Sequence, residues 1–230
     1  LLFAPLLGLL PNATLAAIVI VYSVGLIQPA EFFSILKIRR MEFFWALVAC
    51  FGVLVFGTLQ GIVVAIIISL VGLARQTTNP PVYVIGRKRD ADVLRPLTSE
   101  HPDDEIIEGL LIVRPEGRLY FVNLENVAEK INALAEKYQP KVIVLDMSRV
   151  PDIEYSALQR IIEGEQRIGE RGETLWLAAL NPNVLEMVRH SGLAERLGEK
   201  RLLFNARSAI KQFQVLQAED DIRPTPVASR

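Results

Sequence analysis

Charge is nearly missing from the first third of this 230-residue sequence. Of its 25 Lys and Arg and 26 Asp and Glu, only Glu31, Lys37, Arg39, Arg40 and Glu42 fall before Arg75. Cysteine is nearly missing too. With Cys50 alone, no disulfide forms within the chain, and the thiol reads as a small apolar packing residue. Histidine is limited to His101 and His190, with no Cys or His partner at metal-ligand spacing, so they read as a solvated loop residue and a helix C-terminal residue. The sequence has no nucleophile elbow, phosphate-binding glycine loop or metal motif. No catalytic, cofactor-binding or metal residues are therefore assigned, and an enzyme is not expected. A net charge of −1 gives no reason to invoke nucleic acid. A basic n-region and a cleavage site, the marks of a signal peptide, are also absent. The sequence opens at Leu1 in mid-hydrophobic run, and the expectation is a C-terminal piece of a longer membrane protein.

What is present before Arg75 suits lipid. Residues 1–30 carry no charge, interrupted at Pro11-Asn12 by a turn, with Asn12 as N-cap of a new helix over 13–28 that Pro29 ends. "EFFSILKIRR" follows, an amphipathic stretch suited to the interface, with Phe32, Phe33 and Ile35 toward lipid and Arg39 and Arg40 toward headgroups. Residues 43–74 are again uncharged. A straight helix of that length reaches about 48 Å, too long for a hydrocarbon core of about 30 Å at usual tilts. Either the helix extends into both headgroup layers, or it breaks at "FGTLQG" into helices 43–56 and 60–74 joined as a hairpin. The basic flanks "KIRR" and "RQTTNPPVYVIGRKR" favour the hairpin, which puts both on the cytoplasmic side.

The remainder suits water. "TTNPP" (77–81) is a linker signal. After it the pattern predicts a strand at 82–85, a long exposed loop over 86–108, and a hairpin of strands 110–113 and 118–123 around Pro115-Glu116-Gly117. A helix follows within 125–138, then a fully covered strand "KVIVLDMS", a helix from Glu154, and strand "TLWLAAL". Asn181 caps a short helix with Pro182 in its first turn. A last strand "RLLFN" and helix "ARSAIKQFQVLQ" complete an α/β sheet with helices packed against it. The tail 218–230 reads as disordered.

The order of "LPNATLAAIVIVYSVGLI", "FGTLQGIVVAIIISLVGLAR", a Pro-Pro linker, "GLLIVRPEGRLYFVNLENV" and "VIVLDMSRVPDIEYSALQRI" resembles the C-terminal end of a SulP-type anion permease. The resemblance implies α-helical membrane segments (1–76, in the gate region), a linker (77–81), and an α/β STAS domain (82–217) with a mixed sheet. It implies secondary transport of an inorganic anion such as sulfate or bicarbonate and a homodimer. It also places the chain in the cell's inner membrane, in contact with lipid, with the STAS domain cytoplasmic. The membrane part lacks an ionisable residue at mid-depth, so the anion site is expected mostly in the absent N-terminal helices. The rival readings are a membrane-anchored STAS-type binding module without transport, and a membrane-bound enzyme.

Candidate regulatory residues follow from the strand-to-helix connection. Asp146 ends an apolar strand beside Ser148, where α/β sheets bind ligands. With Glu154, Tyr155 and Ser156 they form a candidate pocket, for an anion or for a cytoplasmic regulatory protein; plain loop capping is the alternative. STAS domains of anti-sigma-factor antagonists carry Asp-Ser-Ser where this sequence has Glu154, Tyr155 and Ser156, and the first serine there is phosphorylated by a serine kinase. Tyr155 in that position argues against the same switch. Ser156 is expected to satisfy a backbone N–H at the helix start. Asn123 and Asn126 read as caps.

Overall fold

The structure is a computed structural model that describes residues 12–89 and 91–222. The turn at Pro11 and the end of the tail, 223–230, lie outside the described residues. The chain divides into two compact units, Leu1–Leu73 and Ala74–Arg230.

In the first unit, helix α1 spans Asn12–Leu26 and α2 spans Pro29–Ile38, with Pro29 in the first turn where its missing N–H costs nothing. The next helices are α3 (Arg40–Phe56) and α4 (Thr58–Thr78), the latter crossing into the second unit. Among the described residues, Asn12–Ile38 and Thr58–Thr78 are long and apolar enough to cross a membrane by length and composition. At about 1.5 Å per residue α4 reaches about 32 Å, the thickness of a hydrocarbon core.

The uncharged run breaks at Gly57, whose φ of 86° lies where side chains with a Cβ rarely go. The two legs then run antiparallel. A Cβ on Gly52 would sit 3.7 Å from Gly61 Cα, one on Gly61 would fall 2.5 Å from Val53 Cα, and one on Gly72 would overlap the Trp45 indole. The missing side chains of Gly61 and Gly72 thus let two helices approach closely, while a Cβ on Gly52 would make only an ordinary contact. Cys50 differs from expectation. It is exposed on α3 rather than buried among the described residues.

The second unit holds a six-stranded mixed sheet in the order β2-β1-β3-β4-β5-β6. The strands are β1 (Val82–Arg87), β2 (Leu94–Pro96), β3 (Leu110–Pro115), β4 (Val142–Asp146), β5 (Thr174–Ala178) and β6 (Leu202–Leu203). The pairs β1–β2 and β1–β3 are antiparallel; β3–β4, β4–β5 and β5–β6 are parallel. Both faces are covered, which is why the central strands read as unbroken apolar runs. Leu111, Val113, Ile143, Leu145 and Leu175 face helices α5 (Phe121–Tyr138), α6 (Tyr155–Glu170), α7 (Pro182–His190) and α8 (Leu193–Leu197). Leu110, Ile112, Val144 and Trp176 face α9 (Ala206–Ile222), where Phe213 meets Trp176 edge-on at 6.5 Å.

Three sequence expectations change. Residues 118–123 are not a strand. Both edges of β3 are already taken by β1 and β4, so the segment has no partner there. It instead runs beside 149–154, bridging Leu119 to Ile153, and α5 starts at Phe121 with Asn123 Oδ1 accepting from Tyr120 N at 3.0 Å. The loop over 86–108 is tied down by β2, by an Arg87–Glu105 bridge and by Arg95, which donates twice to the Asp104 carboxylate. The last helix continues to Ile222, five residues into the expected disordered tail.

Candidate functional site

β3 reads LLIVRP, and its fifth residue is the anomaly: an arginine in a strand otherwise buried. A charge there must find a partner or leave. Arg114 Nε and Nη2 both donate to Asp146 Oδ2, at 2.9 and 2.7 Å, at the C-terminal end of the neighbouring strand. Asp146 Oδ1 accepts from Ser148 N at 3.0 Å, so both carboxylate oxygens are engaged. Asp146 is 1% exposed, one of two buried polar or charged residues among those described; Asn123 is the other.

This pair lies in an open groove of about 420 Å³ bordered by Ser148, Asn205, Arg207 and Asp92. Asn205 Oδ1 accepts from Ser208 N at 2.8 Å and so caps α9. Arg207 Nε lies 2.8 Å from Asp92 Oδ2. Ala179, on the same border, holds φ at 56° and donates its N–H to Leu203 O at 3.0 Å. A non-glycine residue there is strained, and it stands on the groove's border. The groove therefore stands at the C-terminal ends of the parallel strands, beside a helix N-terminus, with two ion pairs that a ligand could open. Asp92, Arg114, Asn205 and Arg207 were missed in the sequence reading; the arginine inside an apolar strand was the available signal for one of them.

Glu154, Tyr155 and Ser156 do not line this groove. Glu154 Oε2 instead accepts from Phe121 N at 3.3 Å, placing a carboxylate at the start of α5 rather than capping its own helix. Tyr155 is 69% exposed and Phe121 is 66% exposed, two aromatic side chains at adjoining helix starts. Ser156 departs from expectation: its Oγ is buried and meets no hydrogen-bond partner. The five expected residues thus split into two places, Asp146 with Ser148 in the groove and Glu154, Tyr155 and Ser156 at the start of α6.

Known proteins decide the family. The STAS domain model matches residues 101–209. The chain is 30% identical over 216 residues to Sulfate transporter 1.1 of Arabidopsis thaliana, an alignment covering 90% of this chain and 33% of the relative. It is 29% identical over 223 residues to High affinity sulfate transporter 2 of Stylosanthes hamata, covering 93% and 34%. This chain is a STAS-bearing relative of the sulfate permeases. It spans about a third of the length of the curated relatives it matches. In fold it is similar to the murine Slc26a9 anion transporter in the inward-facing state, with a TM-score of 0.67 at 18% identity, over 82% of this chain and 31% of that one. The α/β unit of this permease relative is accordingly a STAS domain with a mixed sheet, and the helices before it belong to the same alignment.

Proposed function

We propose that this chain is the C-terminal part of a secondary-active inorganic anion transporter of the sulfate or bicarbonate class, and that its STAS domain regulates or assembles the transporter without catalysing a reaction. One observation carries the reading: the alignments with sulfate transporters run across the apolar helices and the STAS domain alike, at 90% or more of this chain. A shared STAS domain alone would support only a binding module. The antiparallel legs α3 and α4 belong on this reading to the scaffold or gate of the membrane body, and the anion site lies mostly in helices outside this chain. Lys37, Arg39 and Arg40 mark the cytoplasmic side of an inner membrane, with the STAS domain on that side and the full protein a homodimer. The groove around Asp146 and Ser148 and the exposed pair Glu154–Tyr155 are its two candidate regulatory contacts, the second suited to a cytoplasmic protein.

The test is uptake of labelled sulfate and labelled bicarbonate into vesicles holding the full-length protein. Saturable uptake of either anion supports transport. No uptake of any small anion overturns it and leaves the rival reading, a membrane-anchored STAS module.

A further inference from the structure

A cavity of about 90 Å³ lies between α5 and α6, away from the groove and from Tyr155. About 10–15 Å³ on this measure holds one water, so there is room for roughly six water-sized groups. Its floor is the sheet: Ile143, Leu145 and Leu175, exposed by 1%, 5% and 6%. Protein interiors are packed to crystal density, and an apolar space of this size leaves its lining short of contacts. Water gains little there, having few polar partners.

The mouth is built differently from the floor. Arg160, Gly164 and Arg167 recur at four and three residues, one stripe of α6, and Arg171, four residues on, stands at its C-cap. Glu125, Ala128 and Asn132 form the facing stripe of α5. The stripes are latched at both ends. Arg160 Nη2 stands 3.9 Å from Glu125 Oε2, and Arg171 Nη2 donates to Asn132 Oδ1 at 2.9 Å. Between the latches stand the two smallest residues, Ala128 and Gly164, and a Cβ on Gly164 would meet nothing within 4 Å. Arg167 sits at this gap. Its neighbours Glu163 and Glu165 are turned to Arg160 and Arg196, and among the described residues its guanidinium has no hydrogen-bond or acidic partner.

We propose that this slot binds a small anionic amphiphile: a short alkyl group enters the cavity between the latches, and its carboxylate rests on Arg167. Pockets that take small ligands combine an apolar interior with a few placed polar groups, and a guanidinium matches a carboxylate in geometry as well as charge. Arg171 stands on one side; Arg160, on the other, already faces Glu125 and Glu163, which leaves Arg167, among the described residues, as the rim cation free to take the carboxylate. The ligand class is a medium-chain carboxylate, independent of any anion the full-length protein moves.

Equilibrium dialysis of radiolabelled octanoate against the full chain in lipid nanodiscs, with empty nanodiscs subtracted, tests this. A single saturable site is expected. Arg167→Gln weakens it about tenfold or more, the worth of a charge-assisted pair. It leaves octanol binding unchanged, because the tail still fits. Gly164→Leu fills the gap and removes both ligands, and acetate does not compete. Arg167 is exposed, so its variant does not depend on refolding a core. Should Gly164→Leu fail to fold, Ala128→Met narrows the same mouth from the other helix. Octanoate binding equal in the wild type and all variants, or no saturable site, overturns the proposal.

Discussion

The side-chain amide of Asn123 donates to the carbonyl of Thr77 at 3.3 Å, across 46 residues of sequence, and to Arg118 O at 2.8 Å. Two further residues of α5 continue the strap. Asn126 Nδ2 donates to Thr78 O at 2.9 Å, and Lys130 Nζ reaches Asn79 Oδ1 at 2.5 Å and Pro80 O at 2.8 Å. Positions 123, 126 and 130 share one helical stripe. A helix leaves its last four carbonyls without internal partners. Here the side chains of α5 satisfy those of Thr77 and Thr78, while Thr78 Oγ1 donates back to Ala74 O at 2.8 Å. The segment 77–80 is fastened by side chains distant in sequence.

Asn123→Ala removes an N-terminal cap and both of these donors from a buried position. A loss of about 2–3 kcal/mol is expected. Asn126→Ala, with one bond, loses about 1 kcal/mol. Hydrogen exchange of residues 74–80 should quicken in both, more in the first. Unchanged exchange in Asn123→Ala would mean the strap contributes nothing.

Arg114→Met strands the Asp146 carboxylate in a site where its side chain is only 2% exposed. Breaking a buried pair from one side costs about 3–5 kcal/mol, whereas replacing both partners with apolar residues is often neutral. Arg114→Met with Asp146→Leu should therefore recover most of the loss. Thermal unfolding of the α/β unit reads both. A double variant as unstable as the single one would rule out the charge as the cause.

Arg95 donates to Asp104 through Nε and Nη2, at 2.6 and 2.9 Å, and holds that carboxyl below the usual range; Arg89 does the same for Glu105. A depressed folded-state pKa gives stability that is complete above the unfolded value of about 4. That stability is lost as pH falls through the folded value. The loop 88–107 should hold its amide protection from neutral pH to about pH 5 and loosen below about pH 4. The Arg87–Glu105 amides, which bond each other at 2.9 and 2.8 Å, report this directly once intrinsic exchange is corrected for pH. Constant protection to about pH 3 would exclude the mechanism.

Tyr155→Ala takes away an exposed ring and should change stability by less than about 0.5 kcal/mol. If the Glu154–Tyr155 contact is regulatory, uptake kinetics or dimerisation of the full-length protein shifts while the melting temperature stays. The reverse pattern would assign Tyr155 to packing.

Gly61→Ala drives a methyl group into Val53 and should cost about 1–3 kcal/mol by forcing α3 and α4 apart. Gly25→Ala is the control, since a Cβ there meets nothing within 4 Å. Equal melting temperatures for the two variants would show that the glycine contact is loose.

The layered α/β unit was legible because its central strands are apolar on both faces and its helices show a clear period. So was the break near Gly57, since 32 uncharged residues overfill a bilayer. Segment 118–123 was not, because its apolar spacing over six residues suits a strand or a first helical turn. Only the occupied edges of β3 decide between them. Glu154 was read as part of a pocket with Asp146, but its carboxylate answers an N–H of another helix, information that local sequence does not carry. The Asn123 strap was half visible. The asparagine looked like a cap, and it caps its own helix and another segment at once.

The seam between α3 and α4 is defined by what Gly61 and Gly72 omit. Its attraction comes from backbone and indole surfaces meeting at short range, which does not depend on expelling water. Moving the two legs from an aqueous passage into hydrocarbon therefore forfeits none of it, and they can enter the bilayer as a joined object. Mutational drift at these positions has only one direction available, and that direction is outward: every residue larger than hydrogen is a wedge.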